Sequence, residues 1–478
     1  MIRDTLPADF AAAEATGPEA PSEHLREAVR CIESLAARHE PSALERLRLL
    51  SALDDACQAP SRACATSFVT QAVTVSREGL LRHVPDFWQT LLEAYDLLLS
   101  RLASPPGAAE SGVIAALAVR ALRAGQHCAR WAAFAGEPLD GACWQRLNQV
   151  YLSARDRQAD VLGVRVRADR DTETCVEREY LALLAQHTLA LQQLDAASVE
   201  LALRLCRQAL AQLEFGRVRG ISSQLWIDPA AGLPPARMLE ADMPGKGVLF
   251  FSAAAAVPAL QRLLDLAIRG RVPPELVPAG GTVQLAAVLS YMIRQWSADA
   301  PVRNQARQAL SGPVEVVWGF SAVVQGLHTG ASLGAFEPDP GCVLRDVSSA
   351  GVGIELVDGG KGGHEVGALL SLRLSDDDLP RIGVVRRWMR QEGARLLLGC
   401  EFLGREAQLL TVVAGGQALH ALAIDPLQSG VPVRLILPSD MANQSVLRLI
   451  DHPGMGVLQA LTTAEPGGDH VLRSYLPG

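Results

Sequence analysis

The hydrophobic pattern changes its period part-way along this chain, and that change constrains the fold more than any single residue does. From Ser22 to about Glu214 apolar residues recur every three to four positions, as in Leu25, Val29, Ile32 and Leu35, the spacing that lines one face of a helix. From Pro313 onward the period drops to two. Val314-Glu315-Val316-Val317-Trp318, Gly353-Ile354-Glu355-Leu356 and Leu370-Ser371-Leu372-Arg373-Leu374 alternate as half-buried strands do. Side chains repeat every 3.6 residues on a helix and every two on a strand, so the two stretches cannot share one layer. The pattern predicts a multidomain α+β chain, with an N-terminal all-α region followed by an antiparallel β-barrel and a short β-rich extension.

Local signals divide the chain further. Residues 1–22, with Pro7, Gly17, Pro18 and Pro21 and few large apolar side chains, read as a disordered leader. Residues 23–214 read as an α-helical domain. Ser22 is its first N-cap, and further helices are expected over 44–56, 62–75, 88–102, 111–134, 140–159, 172–191 and 196–213. Pro60, Pro85, Pro105-Pro106, Gly136–Pro138 and a polar stretch near Asp169 separate them, which suggests a bundle or a curved stack of helix pairs. Residues 215–300 form a helical and extended connector, with helices near 256–269 and 282–297. Residues 301–408 form a meander long enough to close as a small barrel, with hairpin turns at Asp358-Gly359-Gly360 and Gly362-Gly363 and strands through Ile382–Met389 and Ala394–Phe402. Residues 409–478 form the β-rich extension. Pro432 and Pro438 bracket Val433–Leu437, which suits an edge strand.

Composition excludes several functions. With 49% apolar residues the chain can bury a core, and its net charge of -8 argues against a protein that coats DNA or RNA. Lys246 and Lys361 are the only lysines, so arginine pairs arise easily by chance. The nine cysteines form no CxxC pair and read as apolar fillers in a reducing compartment, with no metal site. No signal peptide and no membrane span is visible, so a cytoplasmic location is expected. Gly359-Gly360-Lys361-Gly362-Gly363-His364 lacks Walker spacing and reads as a hairpin tip; no nucleophile elbow or Ser/His/Asp arrangement is present. Glu173–Tyr180 reads as the solvated start of a helix. The chain is not expected to be an enzyme or to carry a cofactor.

Two short motifs carry chemistry. The first is Arg303-Asn304-Gln305-Ala306-Arg307, an RxxxR just before the first strand of the meander; the second is Asp346-Val347-Ser348-Ser349-Ala350-Gly351, a DxSxxG. RxxxR alone is unselective, since Arg26/Arg30 and Arg386/Arg390 also match it and read as a solvated helix face and a strand edge. DxSxxG occurs once, and its bland reading is a turn between two strands. Arginine offers a planar fork of donors that pairs with phosphate oxygens and with guanine O6 and N7. A carboxylate is acceptor-only and suits the guanine N1–H and N2 donors, and a serine hydroxyl adds a contact to base or phosphate. Glycine allows close backbone approach or a positive φ.

In this order the two motifs resemble the signature of the PilZ family. The resemblance covers about 100 residues, Val302 to Gln408, and extends to Gly383-Val384-Val385-Arg386-Arg387 and Leu398-Gly399-Cys400-Glu401-Phe402. The helical region is more loosely similar to uncharacterised N-terminal parts that precede such domains. The resemblance implies a bacterial signal receptor that binds cyclic di-GMP through Arg303, Arg307, Asp346, Ser348 and Gly351, and that contacts an unidentified protein partner through its helical region. Val302 stands where many members have another arginine, Ala306 where an aromatic residue is common, and an insertion falls at Gln325–Gly341. The alternative reading is a degenerate PilZ-like scaffold that works by protein contacts without nucleotide.

Overall fold

The computed structural model describes residues 20–37, 42–70, 76–102, 108–167, 172–220, 223, 225–238, 247–297, 308–328, 341–356, 366–374, 380–391, 395–404, 407–442, 444–452, 456–462 and 464–478. The chain divides into two compact units, residues 1–301 and 302–478.

The first unit opens with α1 (Ala20–Ala37), α2 (Ala43–Val69), α3 (Arg77–Arg101), α4 (Ala108–Ala135), α5 (Gly141–Arg155), α6 (Val176–Thr188) and α7 (Ala196–Ala209). Side-chain oxygens of Ser42, Ser76, Asp140 and Asp195 accept from backbone N–H groups in the first turns of α2, α3, α5 and α7. Two expected helix breaks are absent. Pro60 lies inside the 27-residue α2, which joins the helices expected over 44–56 and 62–75. Pro85 lies inside α3, which begins eleven residues before the expected start at residue 88. The hydrogen bond each proline forfeits is outweighed by apolar side chains buried on both sides of it, Leu53, Cys57, Cys64 and Phe68 in α2 and Leu80, Val84, Phe87 and Leu91 in α3. Ser22 is likewise not an N-cap, because α1 already starts at Ala20.

A four-stranded sheet follows, made of β1 (Glu214–Gly216), β2 (Leu225–Ile227), β3 (Ala236–Arg237) and β4 (Leu249–Ser252) in the order β1-β4-β2-β3, and then α8 (Val257–Ile268) and α9 (Gly281–Trp296). Leu225, Ile227, Leu249, Phe251, Leu285 and Trp296 share one continuous apolar core with the seven helices. The charged start of α6 is a solvated face only in part: Glu173 and Arg178 are exposed, but the turn also reaches into the core. Glu179 accepts from Arg123 and Gln126, and Tyr180 is fully buried with its hydroxyl donating to Asn148 Oδ1 at 2.6 Å. Polar groups also meet inside the core. Asp54 of α2 pairs with Arg120 of α4 at 2.5 Å and accepts from the Tyr95 hydroxyl of α3 at 3.2 Å, with Arg167 at 3.4 Å.

The second unit is β-rich. Its first sheet contains β5 (Gln308–Pro313), β6 (Glu315–Trp318), β7 (Cys342–Ser348), β8 (Gly351–Leu356), β9 (Leu369–Arg373), β10 (Arg381–Gln391) and β11 (Arg395–Gly404) in the order β5-β7-β8-β11-β10-β9-β6. Only Val314 separates β5 from β6, so one continuous segment pairs with β7 at one end of the order and with β9 at the other. The sheet thereby wraps into an antiparallel barrel around Val316, Leu344, Val352, Ile354, Leu370, Val385 and Leu398. After β6 the chain enters α10 (Phe320–His328), so Gln325–His328 of the expected loop is helical.

The remaining strands are β12 (Gln408–Ala414), β13 (Gln417–Ala423), β14 (Val433–Pro438), β15 (Val446–Leu449), β16 (Val457–Ala460), β17 (Glu465–Pro466) and β18 (His470–Pro477). They form a sheet of order β14-β13-β12-β15-β16-β18-β17 that pairing between β14 and β18 closes into a second ring. β14 is therefore not an edge strand. Pro432 precedes it and Pro438 ends it, which leaves the N–H groups between them for the ladder. A separate apolar cluster on α10 and the two sheets (Phe320, Val323, Leu369, Val384, Leu422 and Ile436) seals one barrel against the other. No helix among the described residues is long and apolar enough to cross a membrane.

Candidate functional site

The second motif occupies a β-hairpin. Asp346 and Ser348 end β7, Ser349-Ala350 turn the chain, and Gly351 opens β8. Cross-strand partners extend from Asp346 across the sheet: Asp346 lies opposite Gly353 on β8, Gly353 opposite Gly399 on β11, and Gly399 opposite Arg387 on β10. Their neighbours Val352, Ile354, Leu398 and Cys400 point into the barrel, so by strand alternation this row lies on its outer face. At roughly 4.8 Å per strand spacing, three spacings put the backbones of Asp346 and Arg387 about 14 Å apart.

The middle of the row is a floor of glycine. A Cβ added at Gly353 would lie 2.6 Å from Asp346 Oδ1, and one at Gly399 would lie 2.4 Å from Arg387 Nε. The carboxylate and the guanidinium thus fold inward from opposite ends and lie over bare backbone. The row thus carries an acceptor-only carboxylate at one end and a planar donor fork at the other, the two group types that pair with base N–H donors and with phosphate oxygens.

Two β-bulges aim these side chains. One register shift falls between Leu344 and Asp346, the other between Val385 and Arg387. Each bulge adds a residue, so two consecutive charged side chains face outward on each strand, Arg345 with Asp346 and Arg386 with Arg387. The extra residues are tied down beside the row. Arg345 and Arg395 both pair with the buried carboxylate of Glu355, and Arg386 pairs with Glu401. Arg381 lies over the Phe402 ring at 5.1 Å.

Ser348 Oγ donates to the Gly351 carbonyl at 3.3 Å across the turn, which leaves its lone pairs as acceptors. Gly351 serves close approach, since a Cβ there would meet the Cys400 carbonyl oxygen at 2.2 Å. It does not have a positive φ. Arg303 and Arg307 lie outside the described residues, as do the hairpin tip Gly359–His364 and residues 329–340 of the insertion. The chain that leaves Arg307 becomes β5, whose Gln308 and Ala309 lie opposite Val347 and Asp346. The structure brings Asp346, Ser348 and Gly351 onto one hairpin and adds Arg387, Gly353 and Gly399, which the motif reading did not include.

Among the described residues no group of three or more His, Cys, Asp or Glu side chains could hold a metal ion. All nine cysteines are free thiols, and eight are buried. A family model described as "Cyclic-di-GMP receptor FimW, N-terminal domain" matches residues 12–218. The match corrects the sequence reading in one respect: it falls on the helical region, which that reading left uncharacterised, and not on the C-terminal half that carries the motifs. No curated protein matches the chain.

Proposed function

We propose that this chain is a cytoplasmic receptor for cyclic di-GMP whose first β-barrel is a PilZ-like ligand module. The observation that carries the reading is the outward row Asp346–Gly353–Gly399–Arg387, beside a strand whose immediate upstream neighbours are Arg303 and Arg307. The match of residues 12–218 to a cyclic-di-GMP receptor family's N-terminal domain supports it from the other half of the chain. In this reading Arg303 and Arg307 clamp the phosphates and one guanine face. Asp346 accepts from the guanine N1–H and N2 donors, Ser348 adds a hydroxyl contact, and Arg387 holds the far phosphate over the glycine floor. Gly351 keeps the hairpin close to β11. Ligand binding changes the domain arrangement and the contact made with a protein partner.

Titration calorimetry on the full chain tests this, with GTP as the control nucleotide. Saturable micromolar or tighter binding is expected, absent with GTP and lost in Arg307→Ala. Asp346→Ala and Arg387→Ala should each weaken it about tenfold or more, the worth of a hydrogen bond to a charged group. The scaffold reading draws on Val302 and Ala306, and it predicts no heat with cyclic di-GMP at any attainable concentration.

A further inference from the structure

A second arginine pair of the same spacing lies in the helical unit. Arg26 and Arg30 sit one turn apart on α1, and α3 brings Arg82 and His83 alongside. With Val29, Pro85, Asp86 and Gln89 they line an open groove of about 550 Å3. Like charges one turn apart on a helix cost stability, so the arrangement gives the fold nothing by itself. Only part of the charge is compensated. Arg30 pairs with Glu27 at 2.8 Å, Asp86 is the single acid in the lining, and Arg26 and Arg82 make no ion pair among the described residues. Burial, together with the nearby guanidinium groups of Arg26 and Arg82, holds the His83 imidazole below its usual pKa, and Asp86 opposes them.

We propose that this groove binds a small phosphorylated ligand, with Arg26 and Arg82 gripping phosphoryl oxygens from two helices and Val29 and Pro85 supporting an apolar or planar body. The volume falls within the range of small-molecule sites. Guanidinium forks match phosphate geometry. Two helices that pack through buried Leu25, Ile32, Val84 and Leu91 hold the walls in place. The sequence reading of Arg26/Arg30 as a solvated helix face holds for their exposure, while the approach of α3 turns that face into one side of a groove. The proposal is independent of the barrel site.

The test follows the His83 imidazole by NMR in the histidine-labelled full chain, with its resonance assigned by His83→Gln. Pyrophosphate is the first probe and cyclic di-GMP the second. A saturable shift of the His83 signal with pyrophosphate is expected. The double variant Arg26→Gln/Arg82→Gln should weaken it about tenfold or more while the unfolding temperature stays near that of the parent chain. Arg307→Ala should leave the response intact. Displacement of pyrophosphate by cyclic di-GMP in that variant would identify the ligand as the dinucleotide, and no displacement would point to another small phosphorylated molecule. A His83 signal unmoved by either probe, or moved equally in the double variant, overturns the proposal.

Discussion

The two units of this protein use charge in opposite ways. In the helical unit charged groups are drawn into the core and neutralised there. Asp54 is buried among Arg120, Arg167 and the Tyr95 hydroxyl, which ties three helices and the segment before α6 together. In the first barrel of the β unit Glu355 is likewise buried and paired with Arg345 and Arg395, but Asp346 and Arg387 stand on the outer face over Gly353 and Gly399, aimed by bulges. The helical network can be explained by stability alone. In the barrel row two glycines, Gly353 and Gly399, weaken the paired strands by omitting side chains that would pack. What the missing side chains leave is room for Asp346 and Arg387 to lie across the backbone.

Breaking the helical network should give the largest effect. Arg120→Leu leaves the buried Asp54 carboxylate with hydrogen bonds from Gln58 and Tyr95 and only the longer Arg167 contact as an ion pair, and removing one partner of a buried pair costs about 3–5 kcal/mol. Loss of protection in α2, α3 and α4 is expected in peptide-resolved hydrogen exchange, with β7, β8 and β11 unchanged. Equal loss in both units would mean that they fold as one and would remove the contrast.

The glycines of the barrel sharpen the comparison from the other side. At Gly351 a methyl group would meet a backbone carbonyl at 2.2 Å, and a backbone cannot step aside as a flexible side chain can. Gly351→Ala should therefore push β8 away from β11 and cost about 1–3 kcal/mol, confined to the β unit. Thermal unfolding with exchange on the same peptides reads this directly.

Acid should act on the helical unit first. Burial lowers the His187 imidazole to about 4, and His127, stacked on Trp88 at 3.9 Å, is also held well below its usual value by burial and by Arg130, Arg207, Arg167 and Arg123. In the unfolded chain both titrate near 6.5. Between these values the unfolded state binds more protons, so stability is complete above about pH 6.5 and falls as pH drops toward 4. Both rings keep some solvent contact, so the expected loss is about 1–2 kcal/mol. In the β unit His470 is lowered by burial, but Asp469 opposes the shift. Exchange protection measured from pH 7 to 4.5 should weaken in α4 and α6 before the barrels, and His187→Gln should flatten the helical response.

The division into helical and β halves was legible because it rests on periodicity, which burial imposes directly. The ends of α2 and α3 were not. A proline signals a break locally, and the decision is made by apolar contacts that come from other helices. Asp346 was found through its motif, yet simple alternation from the inward Leu344 puts Arg345 outside and Asp346 inside. The same count from Val385 turns Arg387 inward. Both errors have one cause, an extra residue in the strand that no two-residue pattern can register. Gly353 and Gly399 carried a signal that only pairing makes readable, since they lie 46 positions apart in sequence and opposite each other in the sheet.

The smallest change in stability should come from those two glycines, and it separates packing from function. The nearest atoms to a methyl group at Gly353 belong to the Asp346 carboxylate, and those nearest one at Gly399 belong to the Arg387 side chain, neither of them backbone. Replacing glycine by alanine where φ permits it also narrows the unfolded ensemble. Gly353→Ala and Gly399→Ala should therefore change unfolding free energy by less than about 1 kcal/mol, in contrast to Gly351→Ala. If the floor receives a ligand, the same substitutions should weaken cyclic di-GMP binding about tenfold, because each lifts the base from the sheet and displaces the group that reads it. Unchanged affinity in both variants would mean that the row is an unused surface, and the contrast between the two units would then reduce to one of fold class alone.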